Sequence, residues 1–139
     1  MIILDTNVIS ELMRPMSSGR VVSWVEKQPA AELFTTAITE AEIFYGIELL
    51  TEGKRRAGLL AAAEAMFDED FAGRVIGFDS NASRAFAAIA ARRRALGKPI
   101  SHPDAQIAAI AQFHGAALAT RDAAGFEDCG IQLVDPWSE

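Results

Sequence analysis

Met1-Ile2-Ile3-Leu4-Asp5-Thr6-Asn7 is an unbroken apolar run that meets an acid and two further helix-capping residues. Such a run reads as a strand buried on both faces, because a strand with one wet face would alternate polar and apolar side chains. Asp5, Thr6 and Asn7 all suit a helix N-cap, and Val8 to Met13 continue as a short helix. The same alternation of strand and helix recurs along the chain. Pro15 to Gly19 reads as a loop, and Val21, Val22, Trp24 and Val25 as a helical segment closing before Pro29. Glu32 to Thr36 is a second strand. Thr39 is expected to cap a helix running to Leu50, with Ile43, Ile47 and Leu50 on one stripe. Lys54 to Phe67 is an Ala- and Leu-rich helix, antiparallel to its predecessor, and Arg74 to Phe78 is a third strand. Asn81 to Leu96 forms a helix that stops at Gly97. Ser101-His102-Pro103 opens another, with Ile107, Ile110 and Ala111 facing inward and Gly115 past its end. Ala116 to Ala119 and Ile131 to Val134 are the last strands. The expected fold is α/β: one domain over residues 1–139, with a mostly parallel central sheet flanked by helices on both faces.

Composition narrows the function. The 139 residues are 50% hydrophobic and 23% charged, enough apolar surface for a core of their own. Thirteen Lys and Arg stand against 19 Asp and Glu, a net charge of -6. This argues against a protein held to nucleic acid mainly by neutralising phosphates. An enzyme that cuts nucleic acid is still compatible, since bound cations can supply positive charge. Cys129 is the sole cysteine, which excludes an internal disulfide and a Cys-rich zinc site. No apolar run approaches the ~20 residues of a membrane span. Nor does a basic region precede Met1 to Leu4, so no signal peptide, no membrane association and a cytoplasmic location are expected. The sequence holds no Gly-x-x-x-x-Gly-Lys loop, Gly-x-Gly-x-x-Gly fingerprint or Gly-x-Ser-x-Gly elbow. Asp5 also lacks the second Asp two positions later that a haloacid-dehalogenase-type phosphatase would need.

Four acids stand out. Ligands of an open parallel sheet bind beyond the carboxyl ends of its strands. Asp5 follows the first strand there and Asp122 follows the strand ending at Ala119. Glu42 is expected in the first turn of the helix after strand two, and Asp104 in the first turn of a helix leading into a strand. Taken singly, each reads as a cap or dipole partner: Thr39-Glu40-Ala41-Glu42 has capping-box spacing, and Asp104 suits the positive end of a helix. Together they form a set whose mutual repulsion raises their pKa values unless a cation joins them. Oxygen ligands without His or Cys suit Mg²⁺ or Mn²⁺. Thr6, Asn7 and Thr120 are candidates to hold the carboxylates or metal-bound waters.

These residues carry a resemblance. Ile3-Leu4-Asp5-Thr6-Asn7-Val8 resembles the opening motif of PIN-domain ribonucleases, and Thr39-Glu40-Ala41-Glu42-Ile43-Phe44-Tyr45-Gly46 their second. Pro103-Asp104-Ala105-Gln106-Ile107-Ala108-Ala109 is similar to the third, Ala119-Thr120-Arg121-Asp122 to the fourth, and Val134-Asp135-Pro136-Trp137 to the family's ending. The ordered set spans nearly the whole chain and looks most like the VapC/FitB group, the toxin or nuclease-like halves of two-protein operons. That resemblance implies a metal-dependent endoribonuclease with Asp5, Glu42, Asp104 and Asp122 as its acidic cluster. It also implies dimerisation and a small antitoxin, of ribbon-helix-helix or looped-hinge type, that blocks the site and binds operator DNA. One departure is visible. Many relatives carry Asn-x-x-Asp-Phe after the fourth strand, whereas this chain has Asp122-Ala123-Ala124-Gly125-Phe126.

On this reading Asp5 and Asp104 are the primary ligands of Mg²⁺ or Mn²⁺, and Glu42 orients or deprotonates the attacking water. Asp122 completes that site or holds a second ion. Arg121 is a candidate phosphate contact or a salt-bridge partner of a carboxylate. Lys54-Arg55-Arg56 and the segment 92–98, with Arg92, Arg93, Arg94 and Lys98, read as solvated helix ends or as a track for a nucleic-acid backbone. Lys54 to Phe67 with Phe71 is either ordinary packing or an apolar groove for a partner segment. The rival function is a non-catalytic PIN-fold partner that regulates transcription with a DNA-binding, antitoxin-like protein.

Overall fold

β1 (Ile2–Leu4) is the central strand of a five-stranded, all-parallel sheet in a computed structural model that describes residues 1–139. It pairs with β2 (Leu33–Thr36), Ile2 opposite Leu33; beyond β2 lies β3 (Val75–Ile76). On its other side it pairs with β4 (Ala117–Ala119), Leu4 opposite Ala119; beyond β4 lies β5 (Leu133–Val134). Side chains alternate across the pleat. Ile3 and Leu118 enter one core, Leu4 and Ala119 the other. Both faces are covered, which is why the N-terminal run is apolar without interruption.

One face carries α1 (Thr6–Leu12), α2 (Gly19–Glu26), α3 (Ala37–Glu48) and α4 (Lys54–Ala65), whose apolar sides meet around Val8, Ile9, Val21, Ile43 and Ile47. The opposite face carries α5 (Ser80–Ala95) and α6 (His102–Phe113), packed along their lengths around Ala82, Ile89, Ile107 and Ile110. Each fully buried Ile or Leu contributes roughly 1.5–3 kcal/mol, so both cores are substantial. No helix is long and apolar enough to cross a membrane.

Two elements depart from expectation. α3 starts at Ala37, with Thr36 as its cap: the Thr36 hydroxyl accepts a hydrogen bond from the Thr39 amide at 3.1 Å. β2 therefore runs into α3 with no loop between, and Glu42 falls on the second turn rather than the first. The helix expected to reach Phe67 ends at Ala65, and the chain then makes one π turn over Met66–Asp70. Phe67 and Phe71 are 3% and 5% exposed, so both point into the core, not into a groove.

The strand order β3-β2-β1-β4-β5 reverses direction at β1. The crevice between the carboxyl ends of β1 and β4 is therefore the topological switch point, where open α/β sheets bind ligands. Asp5 and Thr120 follow these two strand ends directly.

Candidate active site

Asp5 is the N-cap of α1 and only 5% exposed. Its amide still donates to Ala119 O at 2.9 Å, so the ladder delivers the carboxyl to the β1–β4 crevice. Asp5 Oδ1 accepts from the Thr6 amide and Oδ2 from the Thr120 hydroxyl, both at 2.8 Å. Thr120 has one proton to give and gives it to Asp5. Its oxygen in turn accepts from Asn7 Nδ2 at 3.2 Å and from the Asp122 amide at 3.1 Å. Asn7 Oδ1 takes the Arg121 amide at 3.3 Å, which fixes the orientation of the Asn7 amide group. Thr6, Asn7 and Thr120 thus tie the ends of β1 and β4 together around one carboxyl.

A second run of hydroxyls reaches Glu42. Thr6 Oγ1 donates to Glu42 Oε1 at 2.8 Å and stands 3.0 Å from Thr39 Oγ1. Because the Thr6 proton is committed to Glu42, Thr39 donates to Thr6; Thr36 donates to Thr39 at 3.4 Å. Thr36 and Thr39 are fully buried. Glu42 is held by Thr6, and the capping-box reading of it gives way, since Thr36 does the capping.

Asp104 lies in the first turn of α6, whose cap is Ser101. Asp122 accepts from the Gly125 amide at 3.0 Å and closes the short 3₁₀ turn Ala124–Phe126. These acids act on one another electrostatically. Burial pushes the Asp5 pKa up to about 6; hydrogen bonds from Thr120 and Thr6 oppose the rise, while the negative charges of Asp104 and Glu42 add to it. Burial also raises Asp104, against its Ser101 hydrogen bond; the Asp122 charge adds to the rise and Arg93 counters it. Asp5 therefore feels Asp104 and Glu42, and Asp104 feels Asp122.

The basic residues divide. Arg93, expected in a solvated helix end, is 5% exposed and donates to Lys98 O, Gly125 O and Glu127 O at 2.6–2.9 Å. It locks the turn after Asp122. The signal was in the sequence: Ala82, Phe86, Ile89 and Arg93 fall on one helical stripe. Arg92 and Arg94 are exposed. Lys98 pairs with Glu127 at 3.4 Å and Asp128 at 3.8 Å. Arg121 makes no ion pair; its guanidinium lies 5.0 Å from the centre of the Trp137 ring. Thr39 was expected only as a helix cap, and Thr36 and Gly125 had no expected role, although Thr36, a buried threonine ending a parallel strand that should be apolar, was a usable clue.

A match to the PIN domain family extends over residues 2–130. The chain belongs to the PIN-domain family. It is 41% identical to the VapC ribonuclease Y4jK of Sinorhizobium fredii over 137 residues, 99% of this chain and 98% of that protein. It is 37% identical to the Toxin FitB of Neisseria gonorrhoeae over 139 residues, 100% of both. The structure of FitAB bound to an IR36 DNA fragment matches with a TM-score of 0.88 and 37% identity, over 99% of this chain and 96% of that one.

The acid set of this PIN domain fits a hard divalent cation. All its donors are oxygens, and burial, helped by the neighbouring acids, raises the pKa of its most buried carboxyl. No trio of acidic, His or Cys side chains is drawn tightly enough to hold an ion unaided. An open groove of about 830 Å³ between α1, α3 and α4 runs up to Thr6 and Glu42. Ile43, Ile47, Leu50 and Leu59 line its length, and Arg14, Lys54 and Arg55 its polar side. Arg56 instead pairs with Glu48 at 3.1 Å.

Proposed function

We propose that this chain is a Mg²⁺- or Mn²⁺-dependent endoribonuclease that cleaves single-stranded RNA, the toxin of a cytoplasmic toxin–antitoxin pair, formed by residues 1–139 as one PIN-like domain. The observation that carries it is the electrostatic coupling of Asp5 to Asp104 and Glu42, and of Asp104 to Asp122, beside the switch point of the sheet. Caps and dipole partners have no reason to gather against their own repulsion. The names of the relatives, a VapC ribonuclease and the Toxin FitB, support the same reading.

Asp5 and Asp104 would hold one ion, with Asp122 completing that site or serving a second ion. When bound, such an ion lowers the pKa of a coordinated water and neutralises charge on the scissile phosphate. Thr120 and the Thr6 amide keep both Asp5 oxygens directed and ionisable. Thr6 turns Glu42, which orients the attacking water and accepts its proton. Arg121, stiffened against Trp137, contacts an RNA phosphate.

The partner reading follows the same site. A small antitoxin of ribbon-helix-helix or looped-hinge type lays a segment in the groove between α1, α3 and α4, ending beside Glu42, and so shuts the enzyme off. The similarity to FitAB bound to a DNA fragment supports a two-protein assembly, which on this reading is a homodimer of the chain carrying two antitoxins. The test is expression of this chain alone in a bacterial host. Growth arrest that Asp5→Asn abolishes, at equal protein level, is the expected result. Normal growth with soluble wild-type protein would favour the non-catalytic, regulatory reading.

A further inference from the structure

Asp122 is the most exposed of the four acids, yet its side chain has a built resting place. A Cβ at position 125 would stand 2.2 Å from Asp122 Oδ2, 2.7 Å from its Cγ and 3.0 Å from Oδ1. The carboxylate thus occupies the space where a side chain at 125 would begin, and the Gly125 amide donates to Oδ1 at 3.0 Å. On the far side of the same turn, Gly125 O accepts from Arg93 at 2.9 Å. The same guanidinium nitrogen reaches Glu127 O at 2.7 Å, and Nε reaches Lys98 O at 2.6 Å. One buried cation therefore ties the end of α5, the connection leading into the Asp104 helix, and the turn carrying Asp122.

We infer that Gly125 and Arg93 are positioning residues for the reaction: Arg93 fixes the turn, and the missing Cβ of Gly125 leaves the Asp122 carboxylate its place in the acid cluster. The inference rests on the metal-dependent reading above. The room at 125 is there for the carboxylate, not for the backbone. Gly125 is not among the left-handed glycines of this chain, so alanine fits its backbone, and the three nearest atoms a methyl group would meet all belong to Asp122. Because these are the free end of a flexible side chain, Gly125→Ala evicts the carboxylate while leaving the fold.

The test is Mn²⁺ binding, read from the electron paramagnetic resonance of the free ion. It compares wild type, Gly125→Ala, Asp122→Asn, their double variant, Arg93→Lys and Asp5→Asn, with thermal melts alongside. Gly125→Ala is expected to melt close to wild type and bind Mn²⁺ about tenfold more weakly, the loss typical of removing a group that orients a ligand. In the Asp122→Asn background the same change should cost nothing further, because its target is gone. Arg93→Lys keeps the charge but not the fork, and should show the same dependence on Asp122; if it unfolds, the Gly125 pair still decides. Unaltered Mn²⁺ binding by Gly125→Ala, or equal losses with and without Asp122, overturns the inference alone. Wild-type protein whose Mn²⁺ binding is absent, or indifferent to Asp5→Asn, overturns the metal-dependent reading and this inference with it.

Discussion

Asp5 gives up its proton late because it is buried, and that fact has a sign that can be measured. A carboxyl whose folded pKa, about 6, exceeds the ordinary 3.8 binds more protons folded than unfolded between those values. Stability from this group is therefore greatest at acid pH and is lost as pH rises through about 4 to 6, at most about 3 kcal/mol. Metal-free Asp5→Asn should accordingly gain melting temperature on wild type as pH goes from 4 to 8. A difference that stays constant with pH would contradict the assignment. An ion competes with the same proton, so Mn²⁺ binding should strengthen as pH rises through 6. Thr120→Val removes the donor to Asp5 Oδ2 and leaves a buried oxygen unpaired. It should cost about 1–3 kcal/mol in denaturant midpoint at pH 8 and move the pH dependence of Mn²⁺ binding upward. Asp5, Asp104, Asp122, Thr6, Asn7 and Thr120 stand out in the sequence because they end strands or open helices, whereas Glu42 sits one turn deeper in α3. Arg93 was obscured by its exposed neighbours Arg92 and Arg94, and Gly125 by a function that lies in the atom it lacks.

Among the elements, the start of α3 shows why boundaries are harder to read than cores. Thr36 and Thr39 are both plausible caps, and spacing favoured Thr39 because it precedes the acidic residues. The strand ending at Thr36 is extended, with ψ of 157°, and only its hydroxyl reaches back to an amide three residues on. Thr36→Ala should therefore destabilise the fold by about 1 kcal/mol, as loss of a helix cap does, seen in chemical denaturation. It also shortens the hydroxyl run that ends at Glu42, so its catalytic effect should exceed that of Gly97→Ala. Gly97 ends α5 in a left-handed conformation, φ 73°, where alanine costs stability but touches none of the acids. Equal residual cleavage in the two variants would show that the hydroxyl run does not matter. The π turn over Met66–Asp70 had no readable signature, since the Ala- and Leu-rich run before it continues with helical spacing to Phe67.

For the molecule as a whole, alternation of apolar strands with helices sufficed for the fold class, because the crossover helices between parallel strands are what cover the faces of their sheet. Strand order was not readable: nothing in a strand's own residues says on which side of β1 its partner lies. Yet it is the order β3-β2-β1-β4-β5 that sets Asp5 beside Thr120 and makes one site from residues more than a hundred positions apart. Net charge also acts at this scale. A chain of charge -6 with an acidic crevice does not attract RNA by itself, so substrate must come with cations. Cleavage should therefore respond to divalent ions more steeply than to monovalent salt. The central claim is tested most directly by a time course on a labelled mixed RNA pool, using antitoxin-free protein with Mn²⁺, then with EDTA, and with Asp5→Asn in parallel. Cleavage that requires Mn²⁺ and is lost in the variant is the predicted result. Cleavage that persists in EDTA, or proceeds undiminished in Asp5→Asn, would contradict it.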